Sequence, residues 1–472
     1  MSNSNPLRSE LAEVIKRVSD AAKEYIAGVD ERPVISQRAD AATATFLRAL
    51  PETGDGAIAA LSELIAEAPD AAAATSGPRY FHFVTGGATP AALGADWLAS
   101  ALDQIAYTWV SSPLGVQLEL LALDWLKDLF DLPRAHTGIM TTGATMANYV
   151  GMAAARQWWG EQHDVDVSEE GMHGMPRVPV FSSGYVHASS LKVASMLGIG
   201  RSAIRTFARD PAGRLDAAAL ESALLGLRGK PAIIIANAGE VNMGDFDPIE
   251  AMADLAEKHN AWLHVDGAFG LFARVTPRAA QLCAGAERAD SVTVDGHKWL
   301  NVPYDCGFSF VRDAQLLARA FTYRADYLPK SDDPRPTIGA IGPESSRRAR
   351  ALSVWATLRA YGRRGVREMV ETHLDLAQQL ADRVDAAPEL ERLAEVPLNI
   401  VCFRFNPGGK TADELDELNR KLGEAIIADG RALAGTTLFE GRVALRPAIV
   451  NWRTRPADID FFVDVVRELA NA

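Results

Sequence analysis

Five short apolar runs, at residues 178–182, 233–236, 261–265, 291–294 and 307–311, alternate with helical stretches through the middle of this chain. A strand that reads as continuously apolar is buried on both faces, as in a largely parallel sheet covered by helices on each side. The alternation therefore predicts a layered α/β fold that begins beyond Gly77-Pro78. Helices are expected over 118–130, closed by Pro133, and over 146–159.

The flanking regions follow other rhythms. Residues 7–74 place apolar side chains three and four apart, with interruptions around Arg32-Pro33 and at 51–56, so two or three helices are expected. Their core is too thin to stand alone, and they should pack on the rest of the chain or on a second subunit. After Ser345 the pattern predicts a long helix to about Tyr361, a helix around 374–384, and strand-like stretches at 398–405 and 442–450 with a helix between them. With 472 residues, too many for one core, the expected division is 1–76, 77–345 and 346–472: an N-terminal helical segment, a large α/β domain and a small α+β domain. Segment 328–343, rich in Pro, Gly and Asp, reads as a long loop of the kind that serves as a lid.

A formal charge of -13 argues against nonspecific binding to nucleic acid or anionic lipid, which depends on clustered positive charge. The sequence has no apolar run long enough to cross a bilayer and opens on a polar stretch, so a cytoplasmic protein is expected. Cys283, Cys306 and Cys402 lie far apart without metal-ligand spacing and are expected to be buried thiols.

Four groups of residues can carry chemistry. Lys298, in His297-Lys298-Trp299-Leu300 beyond the run 291–294, sits where an unpartnered ammonium is unusual. Asp266 ends the run 261–265, where strand C-termini of an open α/β sheet face the ligand crevice. Taken alone it reads more readily as a helix cap, but with Lys298 it suggests a site for pyridoxal 5'-phosphate (PLP). The lysine amine can form an imine with the cofactor aldehyde, and the carboxylate can keep the pyridine nitrogen protonated. Ala268 would then be small because the ring lies close to it. Thr141-Thr142-Gly143-Ala144-Thr145 precedes a helical stretch and offers free amides and a hydroxyl for a phosphate. His187, at a strand-to-helix junction, can lie flat on the ring and hydrogen-bond the substrate.

Together with Ser111-Ser112-Pro113, the stretches 80–130, 138–156, 181–194, 262–269, 289–306 and 347–362 resemble the group II PLP-dependent amino-acid decarboxylases, the aromatic-L-amino-acid decarboxylase family of fold type I. That resemblance implies a central, mostly parallel seven-stranded sheet flanked by helices. It implies Lys298 as the Schiff-base lysine, Asp266 as partner of the pyridine nitrogen, and His187 as the ring-stacking histidine. Ala144, Thr145, Ser291 and His297 are placed around the phosphate and Thr85 at the substrate. The resemblance further implies a homodimer with active sites at the interface and an N-terminal segment that embraces the partner.

This chain also departs from the family pattern. Glu240 stands in Gly239-Glu240-Val241-Asn242 where the family has a threonine, and Asp295 where an asparagine often precedes the His-Lys pair. An acid beside a phosphate is repulsive unless it is turned away or paired, so Asp295 is not assigned as a phosphate ligand. The loop 328–343 holds no tyrosine; Ile338 or a neighbour occupies the place of the family's proton-donating tyrosine, while Tyr323 and Tyr327 lie upstream. The expected reaction is decarboxylation of an L-amino acid, aromatic by resemblance, to its amine and carbon dioxide. The alternatives are aldehyde synthesis by decarboxylation with oxidative deamination, transamination, and a catalytically silent binding protein. Phe81, Phe83, Tyr107 and Trp109 are candidates for an apolar substrate pocket, and Arg79, Arg347, Arg350 and Arg446 for carboxylate binding.

Overall fold

The five apolar runs form strands of one sheet in the computed structural model, which describes residues 6–323 and 334–471. Its strands are β1 (Thr137–Thr141), β2 (Val180–Ser182), β3 (Ile204–Thr206), β4 (Ala232–Asn237), β5 (Ala261–Asp266), β6 (Ser291–Asp295) and β7 (Gly307–Val311). They lie in the order β1-β7-β6-β5-β4-β2-β3. All pairings from β6 to β3 are parallel, whereas β7 runs antiparallel to both β6 and β1. Side chains alternate between two cores along each strand: on β4, Ile234 and Ala236 join one, Ile233 and Ile235 the other. Burial on both faces explains why these strands lack a polar alternation.

Strands β1 and β3 escaped the pattern. β3 is an edge strand of three residues whose Arg205 and Thr206 are exposed, and β1 mixes Thr137, Gly138 and Thr141 with two apolar residues. The predicted helices are present as Pro113–Leu129 and Ala144–Glu161, each starting earlier than its apolar periodicity suggests. The first begins at Pro113 because the Ser112 side chain accepts from the Gly115 amide, a cap that periodicity does not register.

The N-terminal residues form the helices Pro6–Gly28, Ala39–Ala44 and Ala57–Ala71, the last without a buried side chain. Leu11, Ile15 and Val18 remain exposed on one face of the first. Beyond the large sheet, Ala351–Ala386 is a long helix interrupted at Gly362, whose φ of 62° breaks it in two. A second sheet, antiparallel throughout, contains β8 (Leu390–Arg392), β9 (Phe403–Phe405), β10 (Thr436–Phe439) and β11 (Arg442–Leu445) in the order β10-β11-β9-β8. Phe403, Phe405, Ile426 and Phe462 share its core. Among the described residues no helix is long and apolar enough to cross a membrane.

One buried ion pair joins these layers. Arg347 and Glu119, each with a side chain 1% exposed, are salt-bridged. Arg347 also donates to the carbonyls of Ala106 and Met140, and Glu119 accepts from the Met140 amide. Arg347 is therefore a structural residue and not the carboxylate binder that its sequence position allowed. Arg347→Met is expected to destabilise the fold by about 3–5 kcal/mol, because it leaves the Glu119 carboxylate buried without its cation. A urea titration followed by tryptophan fluorescence measures this; an unchanged midpoint would show that the pair carries no such load.

Candidate active site

Parallel strands and the helices that follow them direct their polar ends to one edge of a sheet. Here that edge carries Asn237 of β4, Asp266 of β5, Asp295 of β6 and the N-terminus of the helix Ala144–Glu161 around a cleft of about 320 Å³. Of the residues expected in the site, Ala144, Thr145, His187, Asp266, Ala268, His297 and Lys298 line this cleft.

Lys298 and His297 lie in the connection between the antiparallel strands β6 and β7. The Gly296 and His297 amides donate to the Cys306 carbonyl, and the Cys306 amide returns a hydrogen bond to His297 Nδ1. The Lys298 carbonyl packs so closely on Gly86 that a Cβ there would lie 1.9 Å from its oxygen, so only glycine fits. Lys298 Nζ is 3.0 Å from Asp295 Oδ2 and 5.9 Å from the centre of the Phe269 ring.

Asp266 is 6% exposed. Its Oδ2 accepts from Asn148 Nδ2 at 2.8 Å and its Oδ1 from the Ala268 amide at 3.3 Å. His187 caps the helix Ala188–Met196, its Nδ1 accepting from the Ser189 amide at 3.2 Å and lying 2.7 Å from Ser189 Oγ. Burial lowers the His187 pKa, opposed by Asp266, so at neutral pH the ring is uncharged and carries its proton on Nε2.

Asp295 answers the question its sequence position raised. It is 2% exposed and paired, its Oδ1 accepting from the Ala144 amide at 2.5 Å and facing His297 Nε2 at 3.5 Å, its Oδ2 meeting Lys298. A carboxylate thus takes the helix N-terminal amide that suits an anion. Glu240, by contrast, turns away: it accepts from the Asn242 and Met243 amides and from the Asn242 side chain, and Val241 lines the cleft instead.

Two expectations need correction. Ser291 does not line the cleft: it begins β6 rather than ending it, is fully buried, and bonds Trp262 Nε1 at 2.9 Å and His264 Nδ1 at 2.7 Å. Thr85 also stands back from the cleft wall, its Oγ1 lying 3.4 Å from the hydroxyl of Tyr304. Tyr304 itself, missed in the sequence, lines the cleft and stacks on His297 with centroids 4.1 Å apart. Asn148 was missed too, although it stands one helical turn beyond Ala144 on the same face.

The other candidates sort clearly. Phe81 lies in the second core beside Phe462, and Tyr107 packs on Gly339, so neither reaches the cleft. Phe83 and Trp109 are exposed at 59% and 37%. Arg79 pairs with Asp458 and Arg350 with Asp305, while Arg446 donates to the Phe83 carbonyl and has no ion pair among the described residues. All three cysteines are free and buried, and burial pushes the Cys306 thiol up, away from reactivity. Of the loop 328–343, the residues up to 333 and Tyr327 lie outside the described residues; Ile338 is buried at 3% in a short helical turn, Ile338–Ile341.

An amine, a buried carboxylate, a neutral imidazole and a helix N-terminus around one cleft form a donor set that fits PLP. Comparison with known proteins agrees. Residues 66–406 match the pyridoxal-dependent decarboxylase conserved domain. An aromatic-L-amino-acid decarboxylase of Bacillus atrophaeus is 30% identical over 400 residues, covering 83% of this chain and 81% of its own. An L-2,4-diaminobutyrate decarboxylase of Rhizobium meliloti (strain 1021) is 32% identical over 432 residues, 89% of this chain and 83% of its own. The crystal structure of Oryza sativa TDC with PLP and tryptamine superposes with a TM-score of 0.91 at 25% identity, covering 100% of this chain and 99% of that one. The chain belongs to the pyridoxal-dependent decarboxylase family and is a PLP-dependent carboxy-lyase that acts on an amino acid.

Proposed function

We propose that this enzyme decarboxylates an aromatic L-amino acid to its amine, with Lys298, Asp266 and His187 as the residues that touch cofactor or substrate. The observation that carries the reading is their convergence on one cleft from three separate elements. The aromatic preference is supported by relatives named for aromatic L-amino acids, tryptophan and tyrosine.

PLP supplies an electron sink for the pair of electrons left when carbon dioxide departs. Lys298 would hold it covalently through Nζ, and Asp266 would keep a proton on its ring nitrogen. Ala144, Thr145 and His297 lie where the phosphate would sit, and Ala268 leaves room for the ring. His187, neutral with Nε2–H free, would stack on the ring and donate to the substrate. Arg446, the one candidate arginine without an ion pair among the described residues and close enough to depress the His187 pKa, would receive the substrate carboxylate.

Asp295 sets a cost on this arrangement, since its carboxylate lies at the phosphate end. Asp295→Asn is expected to tighten PLP binding by about tenfold, because a like charge is removed from a partly desolvated site. Titrating the cofactor-free protein with PLP by absorbance checks this; weaker binding would make Asp295 a supporting residue of the cradle.

A homodimer is part of the proposal. The exposed face of Leu11, Ile15 and Val18, and a second cluster of Trp97, Leu98, Leu102 and Ile105, leave apolar surface that a partner would cover. The test of function is to supply PLP and a panel of L-amino acids and to measure carbon dioxide, amine, aldehyde and hydrogen peroxide. Equal amine and carbon dioxide from an aromatic substrate support the reading. Aldehyde with peroxide would instead make the tyrosine-free loop decisive, and no product would overturn the substrate class.

A further inference from the structure

Behind the cleft, four side chains form a continuous hydrogen-bonded line that ends on Asp266. Trp262 Nε1 is 2.9 Å from Ser291 Oγ, Ser291 Oγ is 2.7 Å from His264 Nδ1, His264 Nε2 is 2.8 Å from Asn148 Oδ1, and Asn148 Nδ2 is 2.8 Å from Asp266 Oδ2. Ser291, His264 and Asn148 are fully buried, and Trp262 is 1% exposed.

The register builds this line. Trp262, His264 and Asp266 alternate along β5 and so share one face of the sheet. Ser291 is the partner of His264 on the neighbouring strand β6. The helix Ala144–Glu161 covers that face and brings Asn148; Gly151, one turn further on, lacks a side chain that would press within 2.9 Å of the His264 ring.

Donor and acceptor chemistry fixes its direction. An indole N–H only donates and an ionised carboxylate only accepts. The Ser291 hydroxyl accepts from Trp262 and must pass its own hydrogen to His264 Nδ1. The His264 proton then sits on Nε2 and is donated to Asn148 Oδ1, which turns Asn148 Nδ2 toward Asp266. Complete burial lowers the His264 pKa to about 4, so the ring is neutral and this single tautomer is the one that satisfies every group. Aligned bonds of this kind polarise one another, and the last one falls on a charged acceptor, where a hydrogen bond is strongest.

We infer that Trp262, Ser291, His264 and Asn148 are positioning residues that together hold the Asp266 carboxylate aimed into the cleft. The inference rests on the assignment of Asp266 to the ring nitrogen of PLP, and it adds a role for residues that touch neither cofactor nor substrate. It also gives Ser291 a function different from phosphate binding.

The test uses Ser291→Ala, which removes one hydroxyl behind the cleft, and Asn148→Leu, which cuts the last link. Three quantities are read: the ¹⁵N shifts of the His264 ring in the cofactor-free protein, assigned by comparison with His264→Gln; the affinity for PLP; and the pH midpoint of the bound cofactor's visible absorption. The relay requires His264 protonated at Nε2 in the wild type, PLP affinity about tenfold weaker in Asn148→Leu, as expected for one hydrogen bond to a charged group, and a displaced spectral midpoint in both variants. A purely packing role would leave that midpoint in place. A proton on Nδ1 of His264, or wild-type affinity and midpoint in both variants, overturns the relay. Failure of the wild type to bind PLP would overturn the cofactor assignment instead, a result distinct from either.

Discussion

Lys298→Ala is expected to lower the rate of amine formation by at least about 10⁴-fold, the scale on which loss of a covalent nucleophile acting with its neighbours is felt. Two effects combine. Among the described residues the amine is the only lysine that lines the cleft, so none of the others there can hold the cofactor covalently or exchange it for substrate. Its removal also leaves Asp295, 2% exposed, with the Ala144 amide and His297 as its remaining polar partners among the described residues, which makes the cofactor end of the cleft more anionic. Paired assays of amine and carbon dioxide, with thermal melting to confirm that the variant folds, decide the matter. A variant that retains one per cent of wild-type activity would remove Lys298 from the centre of the reaction.

Asp266→Asn is expected to cost about 10² to 10³-fold in kcat, the range found when one preorganised electrostatic contact to developing charge is lost. The substitution keeps size, and its amide oxygen can accept from either Asn148 or the Ala268 amide but not from both, a loss of one hydrogen bond that the fold should tolerate. What it removes is the negative charge that keeps the ring nitrogen protonated. The loss should therefore fall on kcat far more than on KM, because charge develops only as the carbon–carbon bond breaks. Steady-state kinetics on the substrate identified in the product screen provides the test; an equal rise in KM with kcat unchanged would recast Asp266 as a residue of substrate binding.

Much of this molecule is legible in its sequence, and the illegible parts share a cause. Strands β2, β4, β5, β6 and β7 stand out because burial on both faces demands unbroken apolar runs. β3 does not, because an edge strand answers to solvent on one side. Lys298 and Asp266 are legible because a charged group at the end of an apolar run is itself an anomaly. Asn148 and Tyr304 are not, since an asparagine inside a helix and a tyrosine in a loop are locally ordinary; only their neighbours in space give them meaning. Ser291 shows the opposite error. The family resemblance placed it at the phosphate, yet the length of β6 separates the cleft end of that strand, at Asp295, from Ser291 at its start. The tyrosine-free loop is a related case: its composition announces a lid, but Ile338 within it is a core residue.

The reversal of β7 bears on how the site comes into being during folding. A parallel neighbour would have required a long crossover between β6 and β7, whereas the antiparallel one allows a hairpin-like return from Asp295 to Gly307. His297, Lys298 and Tyr304 all ride on that return, and it is closed by its own backbone through Gly296, His297 and Cys306. The return that carries the reactive amine is thus closed by contacts near in sequence, although Gly86 later packs on it, while Asp266 reaches it through the parallel pairing of β5 with β6. Local contacts form early and cheaply, and distant ones wait for loop closure. In a refolding chain, the lysine loop would take its shape before the carboxylate arrives opposite it, so competence to bind the cofactor reports the pairing of β5 with β6 and not the local return alone.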